Sequence, residues 1–164
     1  MVEMKVAGVI LDSQSKHPIV LLKDPEEKRA LLIWIGEPEA NAILMALEGI
    51  KTPRPMTHDL LQNVLKQLDT PVKRVVITDM RDSTFFAVVE CDRNGEPMSI
   101  DARPSDAIAI ALRAEAGIFV DDEVLENNAI PISASEEDRE EEDKAFKEFL
   151  DNVKPGDFGK FSKD

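Results

Sequence analysis

Seven consecutive residues, Asn41-Ala42-Ile43-Leu44-Met45-Ala46-Leu47, return 65 positions later as Asp106-Ala107-Ile108-Ala109-Ile110-Ala111-Leu112, with four of the seven identical. A shift of 64 sets Met56-Thr57-His58-Asp59-Leu60-Leu61 on Val120-Asp121-Asp122-Glu123-Val124-Leu125, where the match is chemical rather than exact. Alanine-rich helices match one another by chance, so the weight falls on the surrounding order. Each stretch follows three strand-like segments and precedes a second helical one. That recurrence predicts an α+β fold built from a duplicated strand-strand-strand-helix-helix unit, with mainly antiparallel sheets.

The segments themselves follow from periodicity and breakers. Val2, Met4 and Val6 alternate with Glu3 and Lys5 in a first strand reaching Asp12. His17–Lys23 and Arg29–Ile35 read as the second and third, the latter holding the only tryptophan, Trp34. Gly36-Glu37-Pro38 opens a helix whose buried stripe is Ala40, Ile43, Leu44 and Leu47, stopped at Gly49. Thr57 is the expected N-cap of a second helix, with Asp59 in its first turn and Leu61, Val64, Leu65 and Leu68 as its apolar face. After Pro71, Val72–Met80, Thr84–Cys91 and Pro97–Asp101 are strands, joined at Arg81-Asp82-Ser83 and Arg93-Asn94-Gly95. A helix then starts at Pro104 and ends at Gly117. Ile118-Phe119-Val120 is a short apolar run, and Asp121–Asn127 gives one or two helical turns.

The character changes near residue 134. Ser135 to Asp143 is a charge run, followed by Phe146, Phe149, Leu150 and Val153 at helical spacing. The expected organisation is a domain over residues 1–133 and an acidic helical extension over 134–164. No apolar run approaches the ~18 residues of a membrane span, and the start lacks the basic flank of a signal peptide, so a cytoplasmic protein without a membrane partner is expected. A single cysteine, Cys91, excludes an internal disulfide and reads as a buried strand residue.

Charge bears on function more directly. The chain carries −13, of which the residues from Ala134 onward supply −5 through 11 acids and 6 bases. The remaining −8 repels a polyphosphate at long range, so nucleic-acid binding needs a local basic patch or a metal. Gly-rich phosphate loops, Gly-x-Ser-x-Gly, His-Glu-x-x-His and calcium loops are all missing from the sequence. Two junctions remain. Arg54 to Asp59 sets His58 beside a carboxylate at a helix start, a general base or phosphate contact with Arg54 as anion binder. Adjacent helical residues do not face each other, which weakens a His58–Asp59 dyad. Ile100 to Leu112 gathers Asp101, Arg103, Ser105 and Asp106 where a strand meets a helix. Asp101 and Asp106 there hold a divalent cation while Arg103 neutralises phosphate, or Arg103 pairs with either aspartate in a structural clasp, the commoner use. Trp34 with Glu37-Pro38-Glu39 occupies the equivalent place in the first unit, and such a tryptophan is more often a core or interface anchor than a stacking platform.

Four motifs in register add to this: Leu32-Ile33-Trp34-Ile35-Gly36, Glu39-Ala40-Asn41-Ala42-Ile43, Arg54-Pro55-Met56-Thr57-His58-Asp59-Leu60-Leu61 and Ile100-Asp101-Ala102-Arg103-Pro104-Ser105-Asp106-Ala107-Ile108. Together, over about Lys5 to Ile130, they resemble the bifunctional nuclease domain family. The resemblance implies a duplicated α+β fold, self-association with a dimer favoured, and hydrolysis of phosphodiester bonds in DNA and RNA. Under it, His58, Asp59, Asp101 and Asp106 are the candidate catalytic residues. Arg54, Arg103 and Ser105 bind substrate, and Asp101 with Asp106 takes a cation such as Mg²⁺ or Mn²⁺. The rival reading is a non-catalytic oligomeric interaction or regulatory domain built on the same residues as clasps.

Overall fold

The computed structural model describes residues 1–132 together with Lys144. Three strands come first: β1 (Val2–Leu11), β2 (Pro18–Lys23) and β3 (Arg29–Trp34). Helices α1 (Glu37–Leu47) and α2 (Thr57–Gln67) follow. The second half runs β4 (Val72–Arg81), β5 (Thr84–Arg93), β6 (Glu96–Ala102), α3 (Pro104–Ala114), β7 (Gly117–Val120), α4 (Asp122–Asn128) and β8 (Ile130–Pro131). The mixed α+β class and the mainly antiparallel pairing are as expected. The expected acidic helix lies outside the described residues.

The second half has two strands without counterparts in the first, β7 and β8. Ile118-Phe119-Val120 is not a connector but strand β7, inserted between α3 and α4. All eight strands form one sheet in the order β6-β5-β4-β7-β1-β2-β3-β8. Each meander, β1-β2-β3 and β4-β5-β6, is antiparallel, and β7 joins them, antiparallel to β1 and parallel to β4. A four-residue strand carries too little alternation to be told from a loop by its sequence.

Local chemistry explains the turns. Asp82 and Ser83, and again Asn94 and Gly95, all have positive φ, the pairing that a two-residue hairpin with right-handed strand twist requires. Between β2 and β3, the Asp24 carboxylate accepts the backbone N–H of Lys28 at 2.8 Å and of Arg29 at 3.2 Å. Gly49, at φ +64, follows α1 as its left-handed stop, with Ile50 N–H donating to the Met45 carbonyl at 2.9 Å. Helix α3 stops earlier than Gly117: Glu115 takes the left-handed position at φ 53. Helix α2 is preceded by Met56 rather than capped by Thr57, which is its first helical residue.

Helix α1 packs on β1 and β2, α3 packs on β4, β5 and β7, and the two helices lie against each other. Ala40, Ile43 and Leu44 of α1, Ala107, Ile108 and Ala111 of α3, and Val20, Leu22, Leu31, Val75 and Ile77 of the sheet form the core, each at most 1% exposed. The alanines of α3 are what let it approach α1 closely. Cys91 is buried as expected, and burial pushes its thiol up from the ordinary value.

The expected apolar face of α2 is present but largely uncovered. Only Leu65 packs against the core, whereas Leu60, Leu61, Val64 and Leu68 are between 42% and 65% exposed. Periodicity identifies an amphipathic helix without saying what covers it. These contrasts set a stability test by urea denaturation. Ile108→Ala, at a fully buried site, costs about 2–5 kcal/mol, while Leu68→Ala stays within about 0.5 kcal/mol.

A candidate functional site at three helix amino termini

Helices α1, α2 and α3 bring their first turns together beside the end of β3. Gly36 precedes α1, and Glu39 lies in its first turn. A Cβ at position 36 would sit 2.3 Å from Glu39 Oε2, so glycine leaves the space into which that carboxylate folds back. His58 occupies the first turn of α2. Arg103 is the residue before α3, with Pro104, Ser105 and Asp106 opening the helix.

The side chains form a continuous polar chain. Arg103 Nε donates to Asp106 Oδ2 at 2.9 Å, and an Nη2 proton goes to Asp106 Oδ1 at 3.2 Å. Arg103 Nη1 donates to Glu39 Oε1 at 3.0 Å, crossing from the second junction to the first. His58 Nε2 meets Asp106 Oδ1 at 2.8 Å, with the imidazole largely enclosed. Burial alone would raise the Asp106 carboxyl. The hydrogen bonds and charges of Arg103 and His58 outweigh it and hold that group below the usual carboxylate range. Arg103 is pushed up, first by its hydrogen bond to Asp106 and then by that to Glu39.

A second clasp lies deeper. Arg113, near the end of α3, donates from Nε to Asp59 Oδ1 at 2.8 Å and from Nη2 to the Ala42 carbonyl at 3.1 Å. Asp59 Oδ2 accepts the Met56 N–H at 3.0 Å, and Gln62 Nε2 donates to the Arg113 carbonyl at 3.0 Å. Asp59 therefore holds helices together and does not face His58. The histidine's partner is Asp106, 48 positions away.

Other expected site residues fall outside the cluster. Asp101 sits on β6 opposite Val88, exposed, and makes no hydrogen bond or ion pair among the described residues. The Arg54 guanidinium likewise makes none, and it is exposed on the α1–α2 link. Ser105 is only 6% exposed, and its hydroxyl has no hydrogen-bond partner among the described residues. Asp101 makes none of the contacts of the cluster that holds Asp106. No three His, Cys, Asp or Glu side chains converge as ligands among the described residues, and both Asp106 oxygens are engaged by Arg103 and His58. That donor set does not fit a resident divalent cation.

Sequence reasoning passed over two participants. Glu39 was placed only as the counterpart of the second junction, and Arg113 drew no notice. A basic residue in the last turn of an otherwise small and apolar helix is the signal for Arg113, since its burial demands a partner.

The cluster opens onto a cavity of about 970 Å³, lined by Glu39, Arg103 and Ser105 together with Trp34, Met80 and Phe85. Trp34 is 54% exposed and is not a core residue. Its indole Nε1 donates to Asp12 Oδ2 at 3.2 Å, in the β1–β2 turn.

Fold and site together define a one-sheet α+β protein with a polar cleft where two strand-to-helix junctions meet. The chain belongs to the bifunctional nuclease domain family, whose profile matches residues 20–133. It is 41% identical over 162 residues to a Mycobacterium tuberculosis H37Rv protein described as uncharacterized, covering 95% of this chain and 97% of that one. It is also 30% identical over 124 residues to bifunctional nuclease 1 of Oryza sativa subsp. japonica, covering 74% of this chain and 38% of the rice protein. For bifunctional nuclease 1 of Arabidopsis thaliana the figures are 30% over 118 residues, 69% and 36%. The chain thus spans little more than a third of the plant proteins' length.

Asp106→Asn tests the clasp. Because its folded pKa is depressed, Asp106 contributes stability above the ordinary carboxylate value, and that contribution is lost as pH falls through the depressed one. The variant should lose about 1–2 kcal/mol at pH 7 by urea denaturation, the scale of hydrogen bonds to a charged group at a partly exposed site. The gap to the parent should narrow as the pH is lowered through that range.

Proposed function

We propose that this protein hydrolyses phosphodiester bonds in nucleic acid, both DNA and RNA, at the cleft formed by His58, Asp106, Arg103 and Glu39. The observation that carries the reading is the 2.8 Å contact of His58 Nε2 with Asp106, an imidazole oriented by a carboxylate. Family membership and the nuclease names of the plant relatives support it. Held through Nε2, His58 leaves Nδ1 as the atom that accepts a proton from attacking water. The water oxygen bonds phosphorus, and the leaving oxygen departs and is protonated from solvent. A guanidinium has five N–H donors, and Arg103 commits three of them to Asp106 and Glu39, which leaves two for phosphate. Arg54, at the far end of the α1–α2 link, serves as a steering charge for the polyanion.

Organisation belongs to the same proposal. Residues 1–133 act as the nuclease domain, and 134–164 as an acidic extension. The two meander-and-helix halves are copies of one unit, which the meeting of their junctions at Arg103 and Glu39 supports. The working form is a cytoplasmic homodimer. Leu60, Leu61, Val64 and Leu68 offer its surface, since α2 carries only Asp59 and Lys66 as charged residues in a chain of −13. Two copies meeting there avoid most of the like-charge repulsion. No helix among the described residues is long and apolar enough to cross a membrane.

The reading in which the same residues serve only as clasps in a non-catalytic domain also has an observation in its favour: Glu39, Asp106 and Arg103 satisfy one another. Cleavage of plasmid and of RNA by pure protein separates the two, run with Mg²⁺, with Mn²⁺ and with a chelator. His58→Ala should lower the rate by about 10²–10⁴-fold, the usual contribution of a general acid–base group. Retained folding by circular dichroism with full activity in that variant would leave only the clasp. Light scattering of Leu61→Glu/Leu68→Glu should report a monomer where the parent is a dimer.

A further inference from the structure

We propose that Trp34 is the stacking platform of a nucleobase subsite in the cavity beside the polar cluster, taking a base whose phosphate is held by Arg103. The proposal rests on the reading of this cleft as one for nucleic acid, and it names the part of the ligand that the polar cluster does not explain.

Three observations converge on it. The first is the tryptophan itself. Large aromatic side chains are rarely left half exposed on a strand without a use, and Trp34 is 54% exposed at the end of β3. Its ring is fixed rather than loose. The indole N–H is tied to Asp12, and Asp12 is in turn held by the Gln14 backbone N–H at 3.1 Å and the Ser15 hydroxyl at 2.8 Å. A ring anchored at its edge and open over its surface suits stacking, which needs no hydrogen-bond code and tolerates any base.

The second is the cavity. At about 970 Å³ it lies within the range of about 300–1,000 Å³ usual for small-molecule sites. Trp34, Met80 and Phe85 give it apolar surface from both halves of the chain, and Arg103 gives it a cation with two unused donors. A flat apolar group joined to an anion is the ligand that such a lining recognises.

The third is Ser105. The residue is only 6% exposed, it lines this cavity, and its hydroxyl has no hydrogen-bond partner among the described residues. Opening onto the cavity, it is free to pair with a base edge or sugar hydroxyl that enters. The polar cluster is complete without Ser105, so clasping does not account for its placement.

The body's acidity fits this division of labour. Long-range repulsion from −13 weakens any binding that relies on counting phosphates, whereas stacking is indifferent to net charge. A tryptophan platform supplies short-range attraction where electrostatic steering is poor.

Trp34 is the only tryptophan, and there is no tyrosine, so indole emission from the full-length protein reports this position alone. Adenosine 5′-monophosphate and a phosphorothioate trinucleotide of deoxyadenosine should each quench it saturably, while ribose 5-phosphate should not. Quenching by only one of the two adenine ligands also supports the subsite and tells whether a free nucleotide or a strand is preferred. Isothermal titration, which does not depend on the fluorophore, should show Trp34→Phe keeping the affinity for the monophosphate. Trp34→Leu should lose about tenfold or more, in line with base–aromatic stacking. Ser105→Ala should weaken binding without unfolding the chain. Equal quenching by ribose 5-phosphate, or no quenching by either adenine ligand up to millimolar concentration, would overturn the subsite. So would a Trp34→Leu variant that binds normally but changes its oligomeric state. Cleavage without base-dependent quenching removes the subsite and leaves the nuclease standing, and base-dependent quenching without cleavage does the reverse.

Discussion

One guanidinium holds the working face of this molecule together. Arg103 reaches Asp106 within its own helix start and Glu39 on α1, while Asp106 in turn receives His58 from α2. Three helices that are only loosely related by chain connectivity are therefore fixed at their amino termini by a single row of polar contacts. The arrangement is partly exposed, so the desolvation cost is moderate, yet each member's charge is compensated only while its neighbours remain. Taking away the arginine would leave Glu39 and Asp106 without the cation they share. Arg113 repeats the device at depth, tying Asp59 of α2 and the Ala42 carbonyl of α1 to α3.

Much of the frame was legible because it depends on near neighbours in the chain. Asn94-Gly95 announces a hairpin, Gly49 a helix stop and Pro104 a helix start, each through its own backbone preference. What escaped depends on distant partners. His58 and Asp106 are 48 positions apart, and Arg103 and Glu39 are 64 apart, so no spacing rule links them. Local reasoning argued against a His58–Asp59 dyad and offered Arg103 a clasp with Asp101 or Asp106, of which the Asp106 pairing, three positions away, is made. The face of α2 was legible as apolar, but what covers it was not. Its leucines have the correct period for burial, but α1 and α3 already fill the space over the sheet, and α2 rests on α3 alone among its larger contacts. The repeated stretch did mark the right places, since Asn41–Leu47 and Asp106–Leu112 lie in the two helices that meet at the core.

Acidity and a nucleic-acid substrate are less opposed than the net charge implies. Within the cluster at the helix starts Arg103 offsets part of the charge of Glu39 and Asp106, and helix amino termini add partial positive charge from unpaired N–H groups. Local recognition can therefore differ in sign from the molecule's far field. The cost falls on encounter rather than on the bound state, which places weight on short-range contacts near the cleft. This is also where the family match informs the reading most: its profile spans both strand-to-helix junctions and the link that carries His58, so the whole cluster lies within the shared region.

Strand β7 has a consequence for how the chain comes to be folded. It is four residues long, yet it is the seam between the two meanders, pairing β1 on one side and β4 on the other. On the opposite flank, β3 receives β8, which is formed by Ile130 and Pro131. Both neighbours that enclose the first meander thus come from residues 117–131. During synthesis, β1-β2-β3 emerges early with both borders unpaired, and it must wait for residues 117–131 to be made. Such long-range closure slows folding and leaves strand borders open to other chains in the meantime. The amino-terminal half of this protein is, in that sense, a client of its own carboxy-terminal half before it can be anything else's partner.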